Sequence, residues 1–152
     1  MESEYFKSQK KIGREFEGLV QDALRKPGVE VIESEPLKYR QKRGWDLLIK
    51  VNGSEAKVEL KLDVMSEQTG NVALEIAAIR QSISPIWLYG LPEGNKIIVY
   101  SMYLKDLAPF AENYPVKKLV GEFQIPAALV PKEVFTSQSF VNRFKVLSTL
   151  PF

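Results

Sequence analysis

The stretch GWDLLIKVNGSEAKVELK, from Gly44 to Lys61, decides the fold of this 152-residue chain. Asn-Gly between two segments of alternating apolar and polar residues is a strong signal for a β-hairpin with a two-residue turn. If Asn52 and Gly53 form that turn, the register of the two strands follows by counting. Facing pairs are then Val51 with Ser54, Lys50 with Glu55, Ile49 with Ala56, Leu47 with Val58, and Asp46 with Glu59.

The two faces of this hairpin differ in chemistry, because successive side chains of a strand point to opposite faces. One face is polar and carries Asp46, Glu59 and Lys61. Directly opposed Cβ atoms lie about 4.5–5.5 Å apart, so Asp46 and Glu59 repel unless a positive charge lies between them. A divalent cation resolves this conflict, and Mg²⁺, with Mn²⁺ as an alternative, takes carboxylates together with water and phosphate oxygens. The other face is apolar: Trp45, Leu47, Ile49, Val51, Ala56, Val58 and Leu60.

An aspartate followed by Glu-x-Lys on the next strand resembles the PD-(D/E)XK nucleases. The matching positions are Asp46 in GWD, and Glu59 and Lys61 in VELK. Trp45 departs from the proline of the family name, at a position that varies within the family. Asp, Glu and Lys are also common on the solvated face of a hairpin, and a bare match of this kind occurs by chance in many proteins.

The resemblance implies an α/β fold, with a mixed β-sheet flanked by helices and a restriction-endonuclease-like core, as a single domain over residues 1–152. It also implies that Asp46 and Glu59 hold the metal and that Lys61 positions the attacking water. Family members often carry another acidic residue on the helix before the hairpin, and Glu17 in GREFEGLV matches it best. The segments TGNVALEI (69–76) and ALVPKEVF (128–135) look like what phage, archaeal and intron-encoded members place after the lysine.

The function implied is Mg²⁺-dependent endonucleolytic cleavage of double-stranded or branched DNA. A Holliday-junction resolvase and a site-specific endonuclease of the restriction or homing type both fit. Each usually works as a symmetric homo-oligomer, a dimer or tetramer, because cutting two strands needs two active sites. The alternative is a nucleic-acid-binding or assembly module that keeps the nuclease fold without the chemistry.

Composition limits the possible chemistry. The chain has no cysteine and no histidine, which excludes disulfides, thiol catalysis, a Ser-His-Asp triad and histidine-ligated metals. A hydrolytic site must therefore use carboxylates, lysine, arginine or hydroxyl groups. The N-terminus MESEYFKSQKK has no apolar signal core, and no apolar run approaches the roughly 18 residues of a membrane span. We therefore expect a cytoplasmic protein without a membrane segment.

A basic tract precedes the hairpin. The net charge of the chain is only +2, so the distribution of charge is more informative than its total. Lys38, Arg40, Lys42 and Arg43 lie shortly before Asp46. Phosphates would pass this loop on their way to the metal, so we expect these four residues to contact the DNA backbone. The alternative is a solvated basic loop.

The N-terminal segment 3–26 has apolar residues at helical spacing and ends at Pro27-Gly28, which predicts an amphipathic helix. Glu15 and Glu17 lie at opposite borders of its apolar stripe, so the helical pattern allows either to reach the hairpin. Residues 29–32 are predicted to form an edge strand. Alternation over residues 72–76 favours a third strand, although the alanines also permit a helix. If the segment is a strand, Glu75 either faces the active side or lies on the surface.

The rest of the chain gives weaker signals. Residues 85–91 and 96–101 are rich in aromatic and β-branched side chains around a Pro-Glu-Gly-Asn turn, which predicts a second, central hairpin. A short helix is predicted over 103–110 and an extended segment over 116–125. Finally, Thr136 is predicted to cap a last helix carrying Phe140, Val141, Phe144 and Leu147.

Overall fold

The computed structural model describes residues 4–25, 27–34, 47–116, 118–120 and 125–147, and within them the chain forms nine strands and five helices. These elements alternate along the chain, as is typical of a mixed α/β protein. In chain order they are α1 (Glu4–Leu24), β1 (Val29–Ser34), β2 (Leu47–Val51), β3 (Ser54–Leu62), α2 (Ser66–Thr69), β4 (Asn71–Leu74), α3 (Ile76–Gln81), β5 (Ile86–Glu93), β6 (Lys96–Tyr103), α4 (Leu104–Ala111), β7 (Lys118–Val120), β8 (Ile125–Pro131), α5 (Lys132–Thr136) and β9 (Asn142–Leu147).

The predicted hairpin is present as β2 and β3, with the predicted register. Val51 pairs with Ser54 and Leu47 pairs with Val58. Asn52 has φ 48° and Gly53 has φ 88°, the positive values that a type I′ turn requires at both central residues. Asp46 lies outside the described residues, so its pairing with Glu59 stays a prediction.

The larger sheet has six strands in the order β1-β2-β3-β5-β6-β9. Strands β3 and β5 run parallel, whereas the other neighbours in this sheet are antiparallel. Strand β1 is an edge strand, as predicted, and β5 with β6 is the predicted second hairpin. The chain is therefore built on a mixed sheet, as expected from the sequence.

Helices cover both faces of this sheet. Helix α1 buries Ile12, Phe16, Val20 and Leu24 against the apolar face of the β2–β3 hairpin, which confirms the predicted amphipathic stripe. On the opposite face, α3, α4 and α5 pack with β4 and β8 over β5 and β6. The side chains of β5 alternate between these two cores, since Leu88 belongs to the first and Trp87 and Tyr89 to the second.

A smaller three-stranded sheet, β4-β8-β7, forms part of the second layer. The third strand predicted over residues 72–76 exists as β4 (Asn71–Leu74), whereas Ile76 already begins helix α3. Strand β4 pairs with β8 in this smaller sheet and not with the hairpin. Within the predicted extended segment 116–125, β7 covers Lys118–Val120 and β8 begins at Ile125. Helix α4 confirms the helix predicted to begin near residue 103.

The predicted last helix is wrong. Thr136 ends the five-residue helix α5 and does not begin a helix, and Phe144 and Leu147 lie on strand β9. Strand β9 pairs antiparallel with β6, where Ile97 faces Leu147. Helical spacing of four apolar residues is a weak signal in a short segment, and pairing with the edge of β6 outweighs it.

No helix within the described ranges is long and apolar enough to cross a membrane.

The contact between α1 and β5 gives a stability prediction. A Cβ atom at Gly90 would lie 2.6 Å from Cε1 of Phe16, so Gly90→Ala forces the phenyl ring or the helix to move. Overpacking of this kind costs about 1–3 kcal/mol of unfolding free energy, which urea titration measures. Gly18→Ala is the matched control, because a Cβ there meets nothing within 4 Å and the residue lies inside α1. Alanine should stabilise that position by about 0.5–1 kcal/mol.

An unfolding free energy of Gly90→Ala equal to that of the wild type would show that Phe16 does not pack on this glycine as described.

Candidate active site

Glu59 and Lys61 lie on β3, on the face opposite α1. Their neighbours across the parallel pairing are Trp87 for Glu59 and Tyr89 for Lys61, both on β5. These two aromatic side chains are almost fully buried in the second core, at 1% and 2% exposure. The polar face of the hairpin therefore meets the edge of an apolar core at Glu59 and Lys61.

The Lys61 ammonium lies between two carboxylates. Its Nζ is 3.5 Å from Oε1 of Glu59 and 3.5 Å from Oε2 of Glu75. Charge-assisted hydrogen bonds are usually about 2.7–2.9 Å long, so these contacts are ion pairs longer than tight hydrogen bonds. The three side chains are 16–31% exposed, which makes the cluster accessible to solvent.

The ring of Trp87 lies beneath the Lys61 ammonium. Nζ of Lys61 is 5.8 Å from the ring centroid, inside the roughly 6 Å range of a cation–π interaction. The indole Nε1 donates a hydrogen bond of 3.2 Å to Oγ of Ser82, which fixes the plane of the ring. Two carboxylates and an aromatic face thus hold the charge of Lys61 at a place that solvent reaches.

Glu75 joins this cluster from a different part of the fold. It is the residue between β4 and α3, and its side chain makes no hydrogen bond to the helix N-terminus. The carboxylate instead reaches Lys61 on β3. Of the two alternatives left open by the sequence, the structure supports the one in which Glu75 faces the side of Lys61.

Asp63 is a residue whose importance the sequence did not indicate. Its Oδ2 accepts a hydrogen bond of 2.8 Å from the backbone N–H of Ala73, and its Oδ1 accepts one of 3.2 Å from Met65. Its own backbone N–H donates to the carbonyl of Gly90, and its carbonyl accepts from Ser66. One aspartate thus joins β3, β5, α2 and β4, and it does so two residues after Lys61.

Burial and charge shift the acidity of two groups next to the cluster. Burial raises the pKa of the Asp63 carboxyl above its usual value, the N–H groups of Ala73 and Met65 lower it, and the negative charge of Glu75 raises it again. Burial also raises the pKa of the Tyr89 phenol far above its usual value, and nearby carboxylates, chiefly Glu75, add to the effect. Tyr89 is therefore a neutral phenol and not a candidate nucleophile.

In the described parts of the chain, the other predicted site residues are not seen in contact with Glu59 or Lys61. Glu17 is only 9% exposed on α1, which packs against the opposite face of the sheet from Lys61. It takes part in a polar or electrostatic interaction, and its role near the metal stays a prediction. Two residues before it, Oε2 of Glu15 is buried and has no hydrogen-bond partner among the residues that the structure describes. Asp46 and the four basic residues Lys38, Arg40, Lys42 and Arg43 lie outside the described residues.

The carboxylate oxygens at this site are of the chemical type that binds Mg²⁺. Glu59 offers hard carboxylate oxygens, which Mg²⁺ prefers, and Mg²⁺ usually takes only one or two carboxylates from the protein. In the part of the chain that the structure describes, no group of three or more acidic residues is close enough to hold a metal ion. Asp46, the second carboxylate that the hairpin register predicts beside Glu59, lies outside those residues.

No protein-family model, curated protein or solved structure matches this chain.

The raised pKa of Asp63 predicts a pH dependence of folding stability. Stability supplied by the protonated carboxyl is complete below about pH 4, the usual value for aspartate, and is lost as the pH rises through the folded-state pKa. The Asp63→Asn variant carries an amide that cannot ionise at this position. The unfolding free energy of the wild type should therefore fall relative to that of the variant as the pH rises from about 3 to 6. Urea titrations at several pH values measure both curves, and parallel curves would contradict the shift.

Proposed function

We propose that this chain is a Mg²⁺-dependent DNA endonuclease with a restriction-endonuclease-like core. The observation that carries the proposal is the Lys61 ammonium held between Glu59 and Glu75 at the open edge of an apolar core. A lysine two residues from a carboxylate on the same strand face suits phosphodiester hydrolysis, because the reaction develops negative charge on phosphoryl oxygens. The confirmed hairpin register supports the predicted approach of Asp46 to Glu59.

Each residue has a defined task in this proposal. Asp46 and Glu59 would hold the metal. When bound, Mg²⁺ supplies Lewis-acid polarisation of the phosphate and a more acidic water. The Lys61 ammonium donates hydrogen bonds either to the attacking water, which orients it, or to a phosphoryl oxygen, which offsets the developing charge.

DNA is the proposed substrate, as linear duplex or as a four-way junction. Lys38, Arg40, Lys42 and Arg43 would contact the phosphate backbone and guide it to the site. A symmetric homo-oligomer, dimer or tetramer, would cut both strands with two such sites, within the cytoplasm.

One observation favours a second candidate, a nucleic-acid-binding or assembly module without catalysis. Lys61 already contacts both Glu59 and Glu75, so the cluster is partly balanced in charge by the protein's own side chains. A module of this kind needs no metal. The two candidates differ in one measurable property, which is cleavage of DNA that depends on a divalent ion.

The metal ligands give the test of the proposal. The wild type should cut linear duplex or four-way-junction DNA with Mg²⁺ or Mn²⁺ and not with EDTA, and single-stranded DNA serves as a third substrate. Asp46→Asn and Glu59→Gln should abolish cleavage while DNA binding is retained or strengthened, because each removes a metal ligand and a negative charge that repels phosphate. Full turnover by either variant would refute the metal-site assignment. No cleavage of any substrate by the wild type would favour the non-catalytic module.

Lys61 gives a second test, with a control on the same strand. Lys61→Ala should lower kcat by about 10²-fold or more and leave substrate and metal affinity nearly unchanged, as for a group that acts in the transition state. Lys57 lies on the same face of β3, nearer the turn, and faces Leu48 on β2. Lys57→Ala should keep near-normal turnover in single-turnover and steady-state assays. Equal losses at the two lysines would indicate general attraction of phosphate and would remove the specific role of Lys61.

A further inference from the structure

The contact between Lys61 and Glu75 joins the larger sheet to the residue that follows a strand of the smaller sheet. Lys61 is on β3 of the six-stranded sheet, and Glu75 follows β4 of the three-stranded sheet. Their contact therefore depends on how β4 is held beside β3. Pairing of β4 with β8 fixes β4 within its own sheet but does not attach it to β3.

Asp63 provides an attachment between the two sheets. Strand β4 is an edge strand of the smaller sheet, so one side of its backbone has no strand partner among the described residues. A backbone N–H needs an acceptor when it is removed from water. Oδ2 of Asp63 accepts the N–H of Ala73 at 2.8 Å and so takes the place of a neighbouring strand.

The positions of Asp63 and Ala73 in the sequence relate this hydrogen bond to the ion pair. Asp63 lies two residues after Lys61, and Ala73 lies two residues before Glu75. The bond from Asp63 to Ala73 thus lies close to the ion pair and runs between the same two segments. Movement of β4 away from β3 would break both contacts.

We infer that Asp63 and Glu75 form a positioning pair for the Lys61 ammonium. The Asp63–Ala73 hydrogen bond holds β4 beside the end of β3, and Glu75 then fixes the ammonium as a second carboxylate in addition to Glu59. Glu75 is a positioning residue because it acts through Lys61, and Asp63 acts one step further away, through Glu75. The effect of the pair on DNA cleavage rests on the proposed function, whereas the ordering of Lys61 does not.

Side-chain mobility of Lys61 tests this directly in the full chain without metal or DNA. Carbon-13 NMR relaxation gives the order parameter of Lys61 Cε, with the exposed Lys145 as an internal reference. In Glu75→Gln, which keeps the shape and removes the charge, the order parameter should fall toward that of Lys145. Glu133→Gln makes the same chemical change at an exposed residue of α5 and should leave Lys61 as ordered as in the wild type.

Asp63→Ala should have two effects. Exchange of the Ala73 amide hydrogen should become roughly tenfold faster, as expected for loss of one hydrogen bond. Lys61 should also become more mobile, and the double variant with Glu75→Gln should be no more mobile than Glu75→Gln alone, because Asp63 acts through Glu75. If Asp63→Ala does not fold, the Glu75→Gln and Glu133→Gln comparison still decides the role of Glu75.

An unchanged Lys61 order parameter in Glu75→Gln would overturn the inference, as would mobilities that simply add in the double variant. In the cleavage assay, Glu75→Gln should lower kcat by about tenfold or more with an unchanged KM, since small displacements of catalytic groups can cost up to about 10²-fold. A wild type that cleaves no DNA would refute the proposed function, while the relaxation data would still support or refute the positioning pair.

Discussion

The parallel pairing of β3 with β5 is the constraint on which the rest of the structure depends. Parallel neighbours cannot be joined by a hairpin and need a long crossover, here residues 63–85. This crossover contains α2, β4 and α3 and packs on the face opposite α1. It thereby builds the second core over Trp87 and Tyr89, and it brings Glu75 back to Lys61. The same connection that closes the fold therefore completes the candidate site.

The charged cluster contributes little to holding the fold together. Ion pairs that remain partly exposed typically contribute about 0–1 kcal/mol, and the three side chains here are 16–31% exposed. Folding stability comes mainly from the two apolar cores on either side of the sheet.

Local signals in the sequence were sufficient for the hairpin and for α1. The register of β2 and β3 follows from Asn52-Gly53, because turn geometry fixes which residues face each other. The contacts of Glu75 and Asp63 were not predictable, since both depend on where the crossover places β4. At Phe144 the sequence prediction was wrong. The spacing of the apolar residues favoured a helix, but pairing with β6 places Phe144 in strand β9. Sequence patterns indicate the local preference for helix or strand. The contacts of Glu75 and Asp63 and the strand at Phe144 depend instead on segments that are distant in the chain.

The support of β4 by β8 has a consequence for the order of assembly. Residues 71–74 pair with residues 128–131, so the smaller sheet closes only when a much later segment of the chain is in place. Contacts between distant segments form slowly, and a chain under synthesis folds from its N-terminus. The β2–β3 hairpin can therefore form on the ribosome before Lys61 gains its second carboxylate. In a chain that has not yet reached residue 128, the β4–β8 pairing that supports the segment of Glu75 is missing.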